Sequence, residues 1–159
     1  MVATVEGKTR ELKLGADHTY AQSFEYDDPG VTYVIGLLRG TLGDAPFSTA
    51  IPPALFELDA VAATISRGAA LELSWAPAGE GNVHYSVTGT CLKGLEADAP
   101  DSGSLSIAAA ALQASGSGGT CDATLTVSRA NEGHLDAVFS VGGVVEARQL
   151  RSVTFSSTP

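Results

Sequence analysis

Two-residue periodicity of apolar side chains is the feature that most constrains how this chain can fold. Leu71, Leu73 and Trp75 lie on one side of an extended strand, and the polar residues between them lie on the other. The same alternation recurs in residues 83–91 and 121–129. Because no helical period extends beyond two turns, the sequence predicts an all-β protein with antiparallel pairing, a sandwich or a barrel.

Further strands are predicted where alternating β-forming residues lie between Gly and Pro turns. They cover residues 3–6, 10–14, 18–26, 31–39, 104–108, 135–140 and 144–155. Residues 76–82 contain two glycines, a proline and an asparagine, so we expect a hairpin between the strands on either side of them.

Turns and loops are expected where Gly, Pro and acidic residues cluster. Residues 27–30 predict the hairpin turn between the strands on either side, in which Pro29 fixes φ and Gly30 accepts a positive φ. Residues 94–102 and 115–120 are predicted to be loops. Residues 51–58 are a candidate for one helical turn, and residues 108–114 have helical propensity over a length too short for a stable helix.

The length of the chain, 159 residues, favours a single domain with its own hydrophobic core, and two very small β units are the alternative. The alternation lapses in residues 43–53, where turn residues cluster. If a boundary lies there, residues 1–50 form an N-terminal strand layer and residues 54–159 form the sandwich proper.

The two cysteines lie at the ends of predicted strands, each in phase with the apolar face of its strand. With no third cysteine, Cys91 and Cys121 favour a structural disulfide over a metal site, which would need four clustered ligands. Disulfides persist in oxidising compartments, so this prediction places the protein in the periplasm, at the outer cell surface or among secreted proteins. The alternative is two free buried thiols in a cytosolic protein.

The acidic composition limits the partners. With 18 acidic and 9 basic residues the net charge is −9, which disfavours binding to nucleic acids and to anionic membranes. No apolar run reaches the roughly 18 residues that span a bilayer. The N-terminal residues show no basic segment followed by an apolar one, and therefore no visible signal peptide.

A search for chemistry yields weak candidates. His18, His84 and His134 have no second ligand at metal spacing, and His84 is expected to point outward from its strand. Asp27 and Asp28 lie in a turn that is a candidate calcium site, although the spacing is not that of an EF-hand. The glycine-rich residues 115–120 lack the lysine and helix of a phosphate-binding loop. The sequence therefore predicts no catalytic residue, no cofactor and no metal site.

Aromatic residues are few, and most are in phase with apolar neighbours. Trp75, Tyr85 and Phe155 are predicted core residues, whereas Tyr26 and Phe47 are the aromatic residues expected to be exposed.

The C-terminal two-thirds of the chain resembles a group of secreted lipoproteins of myxobacterial type. The resemblance covers residues 55–159 and rests on the succession of ISRGAALELSWAP, VTGTC, APDSGSLSIAAAAL, CDATLTVSR and RQLRSVTFSSTP. It implies an immunoglobulin-like or fibronectin-like β-sandwich, here with additional N-terminal strands, and a lipid anchor on a cysteine upstream of Met1. Within such a fold, Trp75 would be the core tryptophan and Asp101 would cap a turn. The resemblance supplies no catalytic residues.

Three functions remain open at this point. The first is a non-catalytic exported or cell-surface module that contacts proteins or glycans through loops or sheet edges. The second is a structural subunit of an envelope assembly that pairs edge strands with a neighbour. The third is a hydrolase whose residues the sequence does not identify.

Overall fold

The computed structural model describes residues 1–17, 20–24, 28–37, 44–116, 118–138 and 143–159. Within these ranges every regular element is a β-strand and no helix occurs. The prediction of an all-β protein is confirmed.

Fourteen strands are described in chain order. They are β1 (Val2–Val5), β2 (Lys8–Glu11), β3 (Lys13–Leu14), β4 (Tyr20–Ala21), β5 (Tyr33–Leu37), β6 (Ala45–Ala50), β7 (Glu57–Leu58), β8 (Thr64–Ser66), β9 (Leu71–Ala76), β10 (Asn82–Gly89), β11 (Leu95–Pro100), β12 (Ser104–Ile107), β13 (Cys121–Glu132) and β14 (Glu146–Thr158).

The chain forms two compact units. Unit 1 comprises Met1–Ala54 and Ala130–Arg148, and unit 2 comprises Leu55–Arg129 and Gln149–Pro159. The first passage of the chain between them, after Ala54, lies next to the boundary that the lapse in alternation predicts.

Unit 1 is built on a four-stranded sheet in the order β2-β1-β5-β6, accompanied by the two-stranded pair β3-β4. The β1–β2 hairpin turns through Glu6 and Gly7, which both have positive φ, as a tight two-residue hairpin turn requires. Ala3 and Val5 of β1 are buried, whereas all four residues of β2 are exposed. The sheet therefore buries side chains of the inner strand β1 and exposes β2 at one edge.

Unit 2 contains a five-stranded sheet in the order β11-β10-β13-β14-β8 and a three-stranded sheet in the order β12-β9-β7. One hydrophobic core takes side chains from both sheets. Its fully buried members include Phe56, Val83, Val87, Leu125 and Val127. The apolar residues that alternate in the sequence are thus the ones on the buried face of each strand.

The predicted aromatic core is largely confirmed. Trp75 and Phe155 are buried in the core of unit 2, and Tyr85 packs against that core while partly exposed. Phe47 is 69% exposed, as predicted. Tyr26 lies outside the described residues.

The predicted hairpin across residues 76–82 is wrong. Although β9 and β10 are consecutive, β9 pairs with β7 and β12, whereas β10 pairs with β11 and β13. The chain therefore passes from one sheet to the other here. The pairing is also not purely antiparallel, because β14 pairs with β8 in parallel.

Three local predictions also fail. Residues 95–100 of the predicted 94–102 loop form β11, the edge strand of the five-stranded sheet. Residues 135–138 are not a strand, and the rest of that predicted strand lies outside the described residues. Residues 51–58 contain no helical turn, and their last two residues form β7.

A turn precedes β5, but the hairpin predicted across it is wrong for the described strands, because β4 pairs with β3 and β5 pairs with β1 and β6. The Val31 N–H donates to the Asp28 carbonyl over 3.4 Å, and Gly30 has a φ of 89°. Asp27 lies outside the described residues.

Candidate functional site

Cys91 and Cys121 lie at disulfide-bond distance, with their Cα atoms 5.7 Å apart. Cys91 is buried in the core of unit 2 and Cys121 packs against that core. The bond joins the segment after β10 to the start of β13, so it closes the chain around β11 and β12. The pairing that the sequence predicts is thus present in the geometry.

A buried arginine lies beside this disulfide. The Arg67 Nη1 donates to the Ser157 hydroxyl over 3.3 Å and to the Gly119 carbonyl over 3.2 Å, and it approaches the Cys91 Sγ at 3.6 Å. The Arg67 Nη2 donates to the Gly118 carbonyl. Arg67 therefore fastens the glycine-rich segment before β13 to the end of β14.

A second buried arginine forms an ion pair in the core of unit 2. The Arg129 Nε donates to the Asp101 Oδ2 over 2.6 Å, and its Nη2 donates to Oδ1 over 3.0 Å. The Trp75 indole N–H donates to the same Oδ1 over 2.7 Å. The guanidinium also lies 4.7 Å from the centre of the Phe56 ring. This cluster joins β9 and β13 to the turn between β11 and β12.

The Asp101 carboxylate is therefore a core partner of Trp75 and Arg129, and the backbone N–H that it accepts is that of Gly79, between β9 and β10, in place of the predicted cap on its own turn. Burial raises the pKa of this carboxyl, but the hydrogen bonds from Arg129 and Trp75 outweigh that effect, so the pKa lies below its ordinary value of 3.8. Asp101 is consequently ionised under physiological conditions. These contacts give it a structural role.

The three histidines do not come together in the described structure. The His84 Nδ1 lies 2.9 Å from Asp98 Oδ1 across the β10–β11 pair, and both side chains are substantially exposed. His134 is exposed in unit 1, and His18 lies outside the described residues. The described part of the chain brings no three His, Cys, Asp or Glu side chains together in a way that could hold a metal ion.

The outer face of the five-stranded sheet carries an array of short hydroxyl side chains. It consists of Ser86 and Thr88 on β10, Thr124 and Thr126 on β13, and Ser152 and Thr154 on β14. These six residues, called the hydroxyl face below, alternate with the buried residues of their strands. In the β10–β13 register, Ser86 lies opposite Thr126 and Thr88 lies opposite Thr124.

The hydroxyl face is held in place by the sheet beneath it. Thr126 and Ser152 lie within hydrogen-bond distance across β13 and β14, with their hydroxyl oxygens 2.9 Å apart. Inward neighbours such as Val87, Leu125 and Phe155 belong to the core. The positions of the hydroxyls are thus set by buried strands.

Carboxylates supply the charge beside this face. Glu96 and Asp98 lie on the neighbouring β11, where they are opposite Ser86 and His84 in register. Asp122 precedes Thr124 on β13 at a position of the same phase. No Lys or Arg occupies an outward position of β10, β11 or the unit 2 part of β13 and β14. The surface therefore offers hydroxyl groups and carboxylate acceptors, with the exposed apolar side chain of Leu150 beside Ser152 on β14.

Sequence reasoning missed this face although its signal was available. In the segment CDATLTVSR, the positions between the apolar residues are mostly Thr and Ser, and the same holds for parts of β10 and β14. Only the strand order of the sheet reveals that the three segments are neighbours.

Comparison of the chain with protein-family models, with curated proteins and with solved structures found no match to any of them. The resemblance to myxobacterial lipoproteins therefore stays a prediction. Across the described ranges, no helix has the length and apolarity to cross a membrane.

Proposed function

We propose that this chain is a non-catalytic exported or cell-surface β-sandwich module that contacts glycans through the hydroxyl face. The observation that carries the proposal is the array of six Ser and Thr side chains on three neighbouring strands of one sheet. Hydroxyl groups both donate and accept hydrogen bonds, as the hydroxyls of a sugar do, so the two surfaces are chemically matched.

The short side chains of this face favour binding for a second reason. A contact that immobilises a long side chain costs about 0.5–1.5 kcal/mol of ordering free energy. Ser and Thr have little rotamer freedom to lose, and strands fix their Cα positions. The carboxylates of Glu96, Asp98 and Asp122 outnumber the one basic side chain beside them, His84, and disfavour anionic ligands, so neutral glycans suit this surface better than sulfated or phosphorylated ones.

The fold proposed for unit 2 is an immunoglobulin-like sandwich. If β7, β9 and β12 are lettered A, B and E, and β10, β11, β13 and β14 are lettered C, C′, F and G, both sheets follow the immunoglobulin strand order without strand D. Three departures are clear. The edge strand β8, which pairs in parallel with β14, has no letter in this scheme. Trp75 lies on the strand lettered B, and Cys91 follows the strand lettered C, whereas antibody domains place the tryptophan on C and a cysteine on B.

Export to an oxidising compartment is supported by the cysteine pair, because a disulfide persists outside the reducing cytosol. The lipoprotein resemblance adds a membrane anchor upstream of Met1 to this proposal. Mass spectrometry of the native protein purified from its own cells, with and without reduction, tests the redox state. A free-thiol count of two would contradict export.

A glycan array tests the binding proposal. Wild-type protein is compared with Ser152→Lys, which places a long cationic side chain at an exposed position of the hydroxyl face, beside Thr126 of the central strand. The matched control is Ser104→Lys, at an exposed position of β12 in the other sheet. We expect wild-type protein and the control to bind the same neutral glycans and Ser152→Lys to lose them.

Two outcomes would contradict the proposal. Equal binding by all three proteins would exclude the hydroxyl face as the contact surface, and absence of binding to any glycan would exclude glycans as the ligand class. If mass spectrometry detects shortened glycans after incubation with the protein, the result would instead support the hydrolase alternative.

Assembly through edge strands is the second candidate. The observation in its favour is that β11 lies at the edge of the five-stranded sheet. However, β11 carries Glu96 and Asp98 and ends at Pro100, and charges and proline are features that prevent edge pairing. We therefore rank assembly below glycan contact. Sedimentation velocity over a range of concentrations distinguishes them, since an assembling subunit gives species that grow with concentration.

A further inference from the structure

Unit 1 contains a polar cleft that is separate from the hydroxyl face. It has a volume of about 610 Å³ and lies between the end of β6 and the end of β13. Its lining includes Thr49 and Ile51 on one side, and Asn131, Glu132 and His134 on the other. A volume of this size is in the range of ligand-binding clefts.

Backbone contacts fix the walls of the cleft. Thr49 and His134 exchange two hydrogen bonds of 2.8 Å, each residue donating its N–H to the carbonyl of the other. The Gly133 N–H donates to the Val145 carbonyl over 2.7 Å, and the Asn131 side-chain amide donates to the Ile51 carbonyl over 3.1 Å. The cleft is therefore formed before any ligand arrives.

Close packing at Gly133 supports the same conclusion. A Cβ atom at this position would clash with the Thr49 carbonyl oxygen and would lie 2.9 Å from the Val145 side chain. The two walls thus approach each other so closely that the crossing point needs a glycine.

The chemistry of the lining selects a cationic group. Glu132 supplies a carboxylate, Thr49 and Asn131 supply neutral oxygens, and His134 is the one basic side chain among the lining residues, which include no lysine or arginine. Beside these polar groups, Ile51 is 45% exposed. A ligand that combines a methylene stem with a terminal cation would cover the Ile51 side chain and reach the Glu132 carboxylate.

We propose that this cleft binds a basic side chain, lysine or arginine, of a partner polypeptide. Lysine and arginine have an apolar stem and a charged end, and this combination matches Ile51 beside Glu132. The net charge of −9 favours encounter with basic partners. The cleft then adds a protein contact in unit 1 to the glycan contact proposed for unit 2, and the two do not depend on each other.

Peptide titrations followed by amide chemical shifts in the full chain test the proposal. The probes are capped Gly-Lys-Gly and Gly-Arg-Gly, a norleucine peptide that keeps the stem without the charge, and free glucosamine. We expect the basic peptides to shift the amides of Ile51, Glu132 and His134, and the norleucine peptide and glucosamine to leave them unshifted at the same concentration.

Three substitutions locate the contacts. Glu132→Gln should weaken binding of the basic peptides by up to about fivefold, the range of an exposed ion pair, and should reduce the salt dependence to what the remaining net charge supplies. Ile51→Ser should weaken binding and leave the salt dependence. Glu80→Gln removes the same charge from an exposed position in unit 2 and should have no effect. Thermal unfolding of each variant checks that the fold is retained.

Several results would overturn the inference. Equal binding of the norleucine and lysine peptides would show that the cleft does not recognise the positive charge. Stronger binding of glucosamine than of the peptides would show that the ligand is a glycan and not a polypeptide. Equal effects of Glu132→Gln and Glu80→Gln would show that the peptides are attracted by the net charge of the protein and not by Glu132 in the cleft. Because Ser152→Lys alters only the hydroxyl face, it should bind the peptides normally, so failure of the peptide assay and failure of the glycan assay are distinguishable.

Discussion

Loss of the Asp101 charge should destabilise unit 2 far more than loss of a surface carboxylate. The Asp101 and Arg129 side chains are 2% and 6% exposed, and they share two hydrogen bonds of 2.6 and 3.0 Å. Asp101→Asn keeps an oxygen that accepts the Trp75 bond but leaves the buried guanidinium without its counter-charge. Removing one partner of a buried ion pair typically costs about 3–5 kcal/mol, and we expect a loss of stability in that range.

Urea unfolding followed by tryptophan fluorescence is the assay, because Trp75 is the one tryptophan in the sequence and bonds directly to Asp101. Arg129→Met should cost a similar amount, since it leaves the carboxylate unpaired. The double variant Asp101→Asn with Arg129→Met should cost at least about 2 kcal/mol less than the sum of the two, because the second change removes the charge that the first left unpaired.

Asp98→Asn is the matched control. Asp98 also contacts a basic side chain, His84, but both are exposed, so its loss should cost at most about 1 kcal/mol. Equal losses for Asp98→Asn and Asp101→Asn would refute the reasoning. A stability loss in the double variant equal to the sum of the two single losses would also refute it, because it would show that Asp101 and Arg129 act independently.

The pH dependence gives a separate test of the same pair. Because the pKa of Asp101 is lower in the folded state than its ordinary value of 3.8, its charge stabilises the fold above that value. This stabilisation is lost as the pH falls through the folded-state pKa. The stability difference between wild-type protein and Asp101→Asn should therefore shrink when the pH is lowered from about 5 to about 2. A difference that stays constant over this range would contradict the lowered pKa.

The remaining predictions concern the disulfide and one glycine. Replacing Cys91 and Cys121 by alanine opens a loop with a sequence separation of 30 residues and should lower the free energy of unfolding by about 3.7 kcal/mol, measured by urea unfolding. An unchanged midpoint would show that the loop is already constrained without the bond. Gly133→Ala should destabilise unit 1 by about 1–3 kcal/mol, because its Cβ would collide with Thr49, whereas Gly94→Ala has open space and serves as the control. Equal thermal unfolding of these two variants would contradict the close packing.

The sequence predicts the strands better than their partners. Alternation locates β9, β10, β12 and β13 to within a few residues, because burial of one strand face leaves a direct trace in the sequence. It does not show which strands pair, so consecutive β9 and β10 were expected to form a hairpin, although they belong to different sheets. Pairing depends on contacts between segments distant in sequence, and local composition carries little information about them.

The edge strand β11 shows how composition can conceal a pattern. Leu95, Ala97 and Ala99 alternate with Glu96 and Asp98, as a half-buried strand requires. The acidic residues and Pro100 favour a loop instead. At a sheet edge, however, charge and proline are compatible with a strand because one side has no partner to exclude them.

Buried arginines were also unexpected, although a sequence signal exists for both. Arg129 continues the inward phase of Leu125 and Val127, and Arg67 continues that of Ile65. A charged residue in an apolar phase requires a partner. For Arg129 the partner is Asp101, 28 residues away, and for Arg67 the acceptors include carbonyls of the glycine-rich segment. Neither partner follows from spacing, which is why the clusters were not predicted.

These two clusters bear on the proposed function because they keep the anchoring polar contacts of unit 2 on the inner side of its sheets. Arg67 and Arg129 are both buried, and their bonds hold a loop and a turn that connect strands of the two sheets. The outer side of β10, β13 and β14 carries the six hydroxyl side chains, together with Leu150, His84 and Asp122, and none of these belongs to the core. A binding surface of this kind gains its rigidity from the residues beneath it. We accordingly expect substitutions in the hydroxyl face to change glycan binding with little effect on stability. Substitutions of Arg129 or Asp101 should lower stability but leave glycan binding unchanged at temperatures where the variants remain folded.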